Sequence, residues 1–594
     1  MGKFHLLLIV YCLCLFDLKA QKISYTVDLR EPHKNTYRVS LELDYKNAPD
    51  TVVLKMATWT PGSYLIREFA KHVNSYSASN RKGEKLHSYK KDKNTWVVHN
   101  DGQKIIVFNY SVYAHELSVR TTFLNGDLGL INGTALYIYP DNVLDKNADV
   151  QFILPKSWNI STTLPLIDEK ENIYKSINYD QLFDCPVLLG KHNEFAFEAK
   201  GVKHRMAINS TTFYDPEILK EDISKIVEAQ TEIFNDNPNK EYLFIVIARK
   251  YDGGGLEHKN STTLIIDRFN LAKESSYRQF LGLVAHEYFH LWNVKRLRPL
   301  ELGPFDYEKE NYTDLLWVME GFTSYYGTKT LIRIGESEEN SFFRRIANSW
   351  EREYLRPGAK IQSIAESSLD AWIKFYRDDE NDYNATVSYY GRGFLMAAML
   401  EMLIVRESNA EYSLDELMKR LYEKYHISNS RGFTMKEFIK EINDLCDKDY
   451  SGFFKKYIYD TQIPPLDSIM RPFGYEVKFE TSSNSEWGFR VKNEDEHYKI
   501  NRIISGTPAH KAGLNVDDEI IAIDSFAFDM RKLAFFAEYY PDNYSLDFVV
   551  IRDDILKKIS LMTPEATKNT LEISQIPELN EDEVRFRKKM LFNN

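Results

Sequence analysis

A chain of 594 residues is too long to fold around one core, so three or more domains are expected. Its 43% hydrophobic and 27% charged residues are ordinary globular composition, and its 14% aromatic share suits β-rich cores and peptide-contacting clefts. A formal net charge of −11, with no basic stripe to offset it, excludes nucleic acid as the expected partner.

Residues 1–20 read as an export signal. Lys3 supplies the positive start, Phe4 to Phe16 an apolar run too short to span a bilayer, and Ala20 a small residue before the cut. The mature chain is then expected to start at Gln21, to be exported to a periplasmic or extracellular location, and to carry no transmembrane span. Cys12 and Cys14 leave with the signal, in no lipoprotein-like context. Cys185 and Cys446 remain; export permits a disulfide between them, while buried free thiols suit two cysteines expected in different domains. Asn-x-Ser/Thr triplets at Asn109, Asn132 and Asn260 matter only in a host that glycosylates.

Residues 21–200 are expected to form an N-terminal β-rich domain, because Tyr37, Val39, Leu41, Leu43 and Tyr45 alternate with polar residues and turn clusters punctuate later runs. Within it, Trp59-Thr60-Pro61-Gly62-Ser63-Tyr64 reads either as a turn followed by a strand or as a wall of a substrate cleft.

Residues 201–345 form the next expected domain. Ile223, Ile226 and Val227 repeat at helical spacing, and an apolar strand follows from Tyr242 to Ala248. Gly253-Gly254-Gly255-Leu256-Glu257 comes directly after: three glycines beside a strand let a peptide backbone approach, and Glu257 offers a carboxylate at the end of that groove. A second strand, Thr262 to Asp267, leads into a helix with Leu281, Val284, Ala285 and Tyr288 on one face.

That helix carries His286-Glu287-Tyr288-Phe289-His290. Histidines at i and i+4 lie one above the other on a helix and aim at one point, which suits a zinc ion. Glu287 projects beside that point, where a carboxylate must lie to take a proton from the attacking water. A catalytic zinc site needs a third protein ligand. Glu320, within the apolar run Leu315-Leu316-Trp317-Val318-Met319, is the acidic residue that supplies it, since burial there without a positive partner is costly.

Residues 346–472 are expected to be helical, and Tyr390 among them reads by itself as a core aromatic. Residues 473–565 form a compact β-rich module marked by Trp487-Gly488-Phe489-Arg490, Ile503 to Ala509 and Asp518 to Asp524. Residues 566–594 are a charged tail with a short helix near Asp582 to Leu591.

These motifs in this order resemble the glycyl aminopeptidase family of zinc metallopeptidases, whose members carry a PDZ domain near the C-terminus. The resemblance rests on Trp59 to Tyr64, Gly253 to His258, the His286 to His290 helix with Trp292-Asn293-Val294-Lys295-Arg296, Glu320 to Tyr326, and Tyr389-Tyr390-Gly391-Arg392-Gly393. A more distant resemblance is to the aminopeptidase N family. The implied fold class is multi-domain α+β: an N-terminal β-rich domain, a thermolysin-like zinc peptidase domain continuing into a helical region, and a C-terminal PDZ-like β module.

The resemblance implies one zinc per chain on His286, His290 and Glu320, with Glu287 as general base. It implies that Glu257 binds the substrate's α-amino group beside the Gly253, Gly254 and Gly255 edge, and that Tyr390 steadies the tetrahedral intermediate. The expected activity is removal of a small first residue, glycine or alanine, from peptides with a free N-terminus. The PDZ domain either takes a protein or peptide ligand or serves as a packing module with an occluded groove. Two features depart from the relatives. Glu320 lies 320 − 290 = 30 positions after His290, longer than in aminopeptidase N, and Arg392 stands where the family has lysine. The competing expectation is a non-catalytic protein that captures peptides in the cleft and the PDZ module.

Overall fold

Strict apolar–polar alternation builds the first compact unit of this computed structural model, which describes residues 20–250, 253–482, 487–495, 497–564 and 568–593. The export segment expected at the N-terminus, with Cys12 and Cys14, lies outside these residues apart from Ala20, as do Tyr251, Asp252 and Ala566. In the strand Thr36–Tyr45 every second residue from Tyr37 to Tyr45 is buried, so one face of its sheet packs on a core. The strand pairs antiparallel with Ala20–Asp28 and Ile105–Tyr113 at the centre of an eight-stranded sheet. Ala20–Asp28 in turn runs parallel to Ala148–Ile153. Two four-stranded sheets complete the β content of this unit, among the described residues.

The Trp59 to Tyr64 stretch makes the expected turn: the Ser63 N–H donates to the Thr60 carbonyl at 3.1 Å, and Gly62 has φ +91°. The strand expected after it is replaced by a short helical turn, Phe69–His72. The cause is burial of the aromatic rings: Trp59 is fully enclosed and packs on Tyr64 and Tyr307, with ring centroids 6.5 and 6.4 Å away.

The second unit begins with a five-stranded sheet in which Glu241–Arg249 and Ser261–Asp267 run parallel. Their near-continuous apolar sequences suit strands covered on both faces. Gly254–Glu257 pairs antiparallel with Ser261–Asp267 and forms the edge of the sheet. The helix Glu274–Phe289 is tied to two others by Gln230 of Pro216–Phe234. The Gln230 side-chain amide donates to the Ala285 carbonyl at 2.7 Å and to the Thr330 hydroxyl at 3.1 Å, the latter on Phe322–Arg333. Helices dominate onward to Leu466–Met470.

The C-terminal module is a sheet of short strands around Trp487, Phe489, Ile500, Phe548 and Val550. Its flank differs from the expected charged tail. Lys568–Gln575 is a strand paired antiparallel with Tyr475–Ser482, and only Leu571 and Ile573 in it carry the apolar alternation that marks a strand. The terminal helix runs Glu581–Phe592, capped reciprocally by Asn580 and Glu583. Cys185 and Cys446 are both buried free thiols. No helix among the described residues is long and apolar enough to cross a membrane.

Candidate metal centre

The helix Glu274–Phe289 ends at the second histidine of its motif. One turn separates His286 from His290, and their Nε2 atoms lie 3.2 Å apart with the rings nearly perpendicular at 86°. Beyond the helix the chain turns back sharply. Val294 takes φ +90°, a conformation that β-branched residues rarely adopt, and its N–H donates to the Leu297 carbonyl at 2.8 Å. This turn presents the Asn293 carbonyl to His290 Nδ1 at 2.9 Å. The carbonyl can only accept, which assigns the proton to Nδ1 and leaves the Nε2 lone pair facing inward.

Glu320 reaches the same point from a π-helical turn, Trp317–Gly321, that runs into Phe322–Arg333. One Glu320 oxygen lies 3.3 Å from His290 Nε2 and 3.6 Å from His286 Nε2. A π turn displaces backbone carbonyls from ordinary helical pairing, and here those of Val318 and Met319 take hydrogen bonds from the Asn293 amide, each at 3.0 Å. The same amide reaches the Thr323 hydroxyl at 3.0 Å. Asn293 thus fixes both the His290 ring and the helix that bears Glu320. It stands three residues past the second histidine and beyond the helix end; its position in the Trp292 to Arg296 segment was the only signal for it.

The three donor atoms fit a tetrahedral ion. Ligands about 2.1 Å from zinc sit about 3.4 Å from one another, and the observed separations run from 3.2 to 3.6 Å. Charge fits as well. Burial raises the Glu320 carboxyl, but the charge of His290 and hydrogen bonds to both imidazoles overcome it and hold the carboxyl down at about 2. Burial lowers His290, and the charges of Glu320, Glu257 and Glu287 override it, lifting the imidazole to about 10. Without an ion the cage attracts a proton, as a site rich in negative charge must.

Two further carboxylates stand against His290. Donor atoms of Glu257, Glu287 and His290 all lie within 4.8 Å of one another. Glu287 occupies the space that a side chain at Gly255 would fill, since a Cβ there would overlap the Glu287 carboxylate. Glu257, from the same edge strand, is 3% exposed, and its Oε1 makes no hydrogen bond among the described residues. Burial raises its pKa, against the charges of His290 and Lys295. Gly253 and Gly254 have open space where a side chain would be, and Gly254 takes φ +142°. Among the described residues no further strand pairs with the outer edge of Gly254–Glu257.

Tyr390 is half-buried on the other side of the cage, its ring stacked on His286 at 6.5 Å between centroids. Its helix, Tyr389–Glu407, starts from a Ser388 cap whose hydroxyl accepts from the Gly391 N–H at 3.1 Å. Burial, then the charge of Glu320, raises the Tyr390 phenol well above its usual value, and Tyr376 hydrogen-bonds to it. The phenol stays protonated and able to donate. Two glycines let this helix reach the cage: a Cβ on Gly321 would strike the backbone of Gly393, and one on Gly393 would strike that of Trp317 and Gly321.

Arg392 points away from the cage. Its guanidinium donates to the carbonyls of Glu353 at 3.1 Å, Ala359 at 3.2 Å and Gln362 at 3.5 Å, and lies over the Tyr354 ring. A planar fork serves three separated acceptors better than an ammonium does, so Arg392 acts as a brace of the Tyr390 helix. A second brace comes from the C-terminal module: the Asn384 amide donates to the Ile503 carbonyl and accepts from the Ser505 N–H, each at 2.8 Å.

Three family models match the chain: the Peptidase M61 N-terminal domain over residues 24–191, the M61 glycyl aminopeptidase over 279–396, and a PDZ domain over 476–533. The second spans every residue from His286 to Tyr390. No curated protein matches significantly. Among solved structures, an aminopeptidase N family protein from Idiomarina loihiensis is 28% identical with a TM-score of 0.88, over 95% of this chain and 99% of that one. An M1 zinc metallopeptidase mutant from Deinococcus radiodurans, bound to a Tyr-Ser-Ala substrate, is 12% identical with a TM-score of 0.49, over 75% of this chain and 95% of that one.

Proposed function

We propose, from its similarity to the M61 glycyl aminopeptidase family, that the chain is an exported zinc aminopeptidase acting on peptides with a small first residue. The observation that carries the proposal is the convergence of His286 Nε2, His290 Nε2 and a Glu320 oxygen at the spacing of a tetrahedral ion. A zinc ion there would act as a Lewis acid toward the scissile carbonyl and lower the pKa of the attacking water.

The chain's own residues do the rest. Glu257, buried with an unused oxygen, receives the substrate ammonium, and this charge pairing confines cutting to the first residue. The open edge at Gly253 to Gly255 takes the peptide backbone as an added strand. Glu287 accepts the proton of the attacking water and delivers it to the departing amine. The Tyr390 hydroxyl donates to the oxyanion, an interaction present mainly in the transition state. Closure of the charge balance at Glu257 favours an N-terminal ammonium over an acetylated end.

The test is a panel of aminoacyl fluorogenic amides assayed with chelator and with zinc restored. Cleavage of glycyl and alanyl substrates that chelation abolishes and zinc recovers supports the proposal. Equal cleavage of N-acetylated peptides would make the protein an endopeptidase.

A further inference from the structure

The metal cage has unlike flanks. Glu257 and Glu287 crowd the His290 side, where the His290 side chain is 2% exposed. The His286 side is more open, at 18%. There Tyr390 stacks on His286, and Phe394 follows one turn later on the same face of the same helix.

Over the Phe394 ring, 4.8 Å from its centroid, lies the guanidinium of Arg345. Arg345 belongs to the helix Glu339–Tyr354, between the buried residues Phe342 and Ile346. It is solvent-exposed, and its charge is felt at His286. Protein atoms nonetheless surround it closely: burial, then the like charge of Arg352, pushes its pKa down to about 10.

Among the described residues, Arg345 has no carboxylate partner and no hydrogen bond from its guanidinium. Two enclosed arginines of this chain contrast with it: Arg333 donates to Asp415 at 2.7 Å, and Arg392 to three carbonyls. An arginine with no anion of its own is open to a ligand carboxylate, which can make a bidentate pair with it.

We propose that Arg345 is a specificity determinant that receives a carboxylate on the leaving side of the scissile bond, either the C-terminus of a short peptide or an acidic side chain. The assignment rests on the aminopeptidase reading. A peptide whose ammonium sits at Glu257 must extend across the cage toward His286 and Tyr390. A cation at that far end repels a misplaced ammonium and attracts the substrate's negative group, so the two flanks read the peptide's polarity in one direction.

The experiment measures kcat/KM for two matched pairs, Ala-Ala-Ala against its C-terminal amide and Ala-Glu-Ala-amide against Ala-Gln-Ala-amide. The wild type is expected to favour the charged member of at least one pair by about tenfold or more, the size of one charge-assisted interaction. The pair showing the preference identifies the source of the carboxylate. In Arg345→Gln the ratio falls to about one, and in Arg344→Gln, the exposed neighbour on the same helix, it persists. A wild-type ratio of one in both pairs, or an undiminished ratio in Arg345→Gln, overturns the assignment; the wild-type ratios decide even if that variant fails to fold. Wild-type inactivity on all four peptides would instead overturn the aminopeptidase reading.

Discussion

Gly255 and Glu287 share one volume: the space where Gly255 lacks a side chain is the space the Glu287 carboxylate fills. The glycine lies on the edge strand Gly254–Glu257 and the glutamate on the helix Glu274–Phe289. Gly255→Ala must therefore push the carboxylate aside while leaving the three cage residues in place. We expect kcat to fall by about 10- to 100-fold, the usual consequence of misplacing a reacting group by about an ångström, with zinc content unchanged. Metal analysis beside kinetics on an alanyl substrate checks both halves.

Glu287→Gln and His290→Ala should fail differently. The amide cannot take a proton, so Glu287→Gln should retain zinc and lose about 100-fold or more in kcat. His290→Ala removes one of three cage donors and should lose zinc and turnover together. A fully active Glu287→Gln would remove Glu287 from its role.

The pairing of His286 with His290 is legible in sequence because it depends on one helical turn and nothing else. Glu320 is legible as the acid in an apolar run, but its aim depends on a π turn and on Asn293 from another segment, neither of which periodicity reports. The contact between Gly321 and Gly393 joins positions 393 − 321 = 72 apart, and a glycine says nothing of its partner. Arg345 escapes notice for a different reason: an exposed arginine on an amphipathic helix has the pattern of a solvated face. Strand Lys568–Gln575 is hidden because two apolar residues are too few to show alternation.

Loading the cage with zinc should release close to one proton at pH 7. His290 is lifted to about 10 in the metal-free protein, chiefly by Glu320, against the lowering effect of burial, so its imidazole is protonated there, whereas ligation needs it neutral. The sign follows: lower pH favours the proton over zinc, and apparent affinity should drop by about tenfold per unit from pH 9 to pH 7. Calorimetric titration in buffers of different ionisation enthalpy counts the proton directly. A pH-independent affinity would contradict it.

His204 should make the fold acid-sensitive. It is buried, its Nδ1 faces the Val202 carbonyl at 2.9 Å, and its Nε2 accepts from the Tyr288 hydroxyl at 3.0 Å. Burial pushes its pKa from 6.5 down to about 4, against the hydrogen bond to Val202. The unfolded chain therefore binds a proton below about pH 6.5 that the folded chain refuses until about pH 4. Stability is complete above that window and declines as pH falls through it, by about 3 kcal/mol in all. His204→Gln keeps an acceptor for Tyr288 without a titrating group, so the loss of Tm between pH 7 and pH 4.5 should be smaller than in the wild type.

Gly393→Ala should disturb the metal centre without touching any group in it. A Cβ at this position falls 2.5 Å from the Trp317 carbonyl oxygen and 2.8 Å from Gly321 Cα, both too close for the backbone to tolerate in place. The helices bearing Glu320 and Tyr390 must move apart, at an overpacking cost of about 1–3 kcal/mol. Because Asn293 anchors the Glu320 turn to the histidine helix, the displacement should fall mainly on Tyr390, lowering kcat more than zinc affinity. Gly452→Ala, exposed on the helix Ser451–Tyr457 with open space around it, is the matched control and should alter neither. Chelator competition measured beside kcat separates the two effects; an unperturbed kcat in Gly393→Ala would mean that the position of Tyr390 does not depend on this contact.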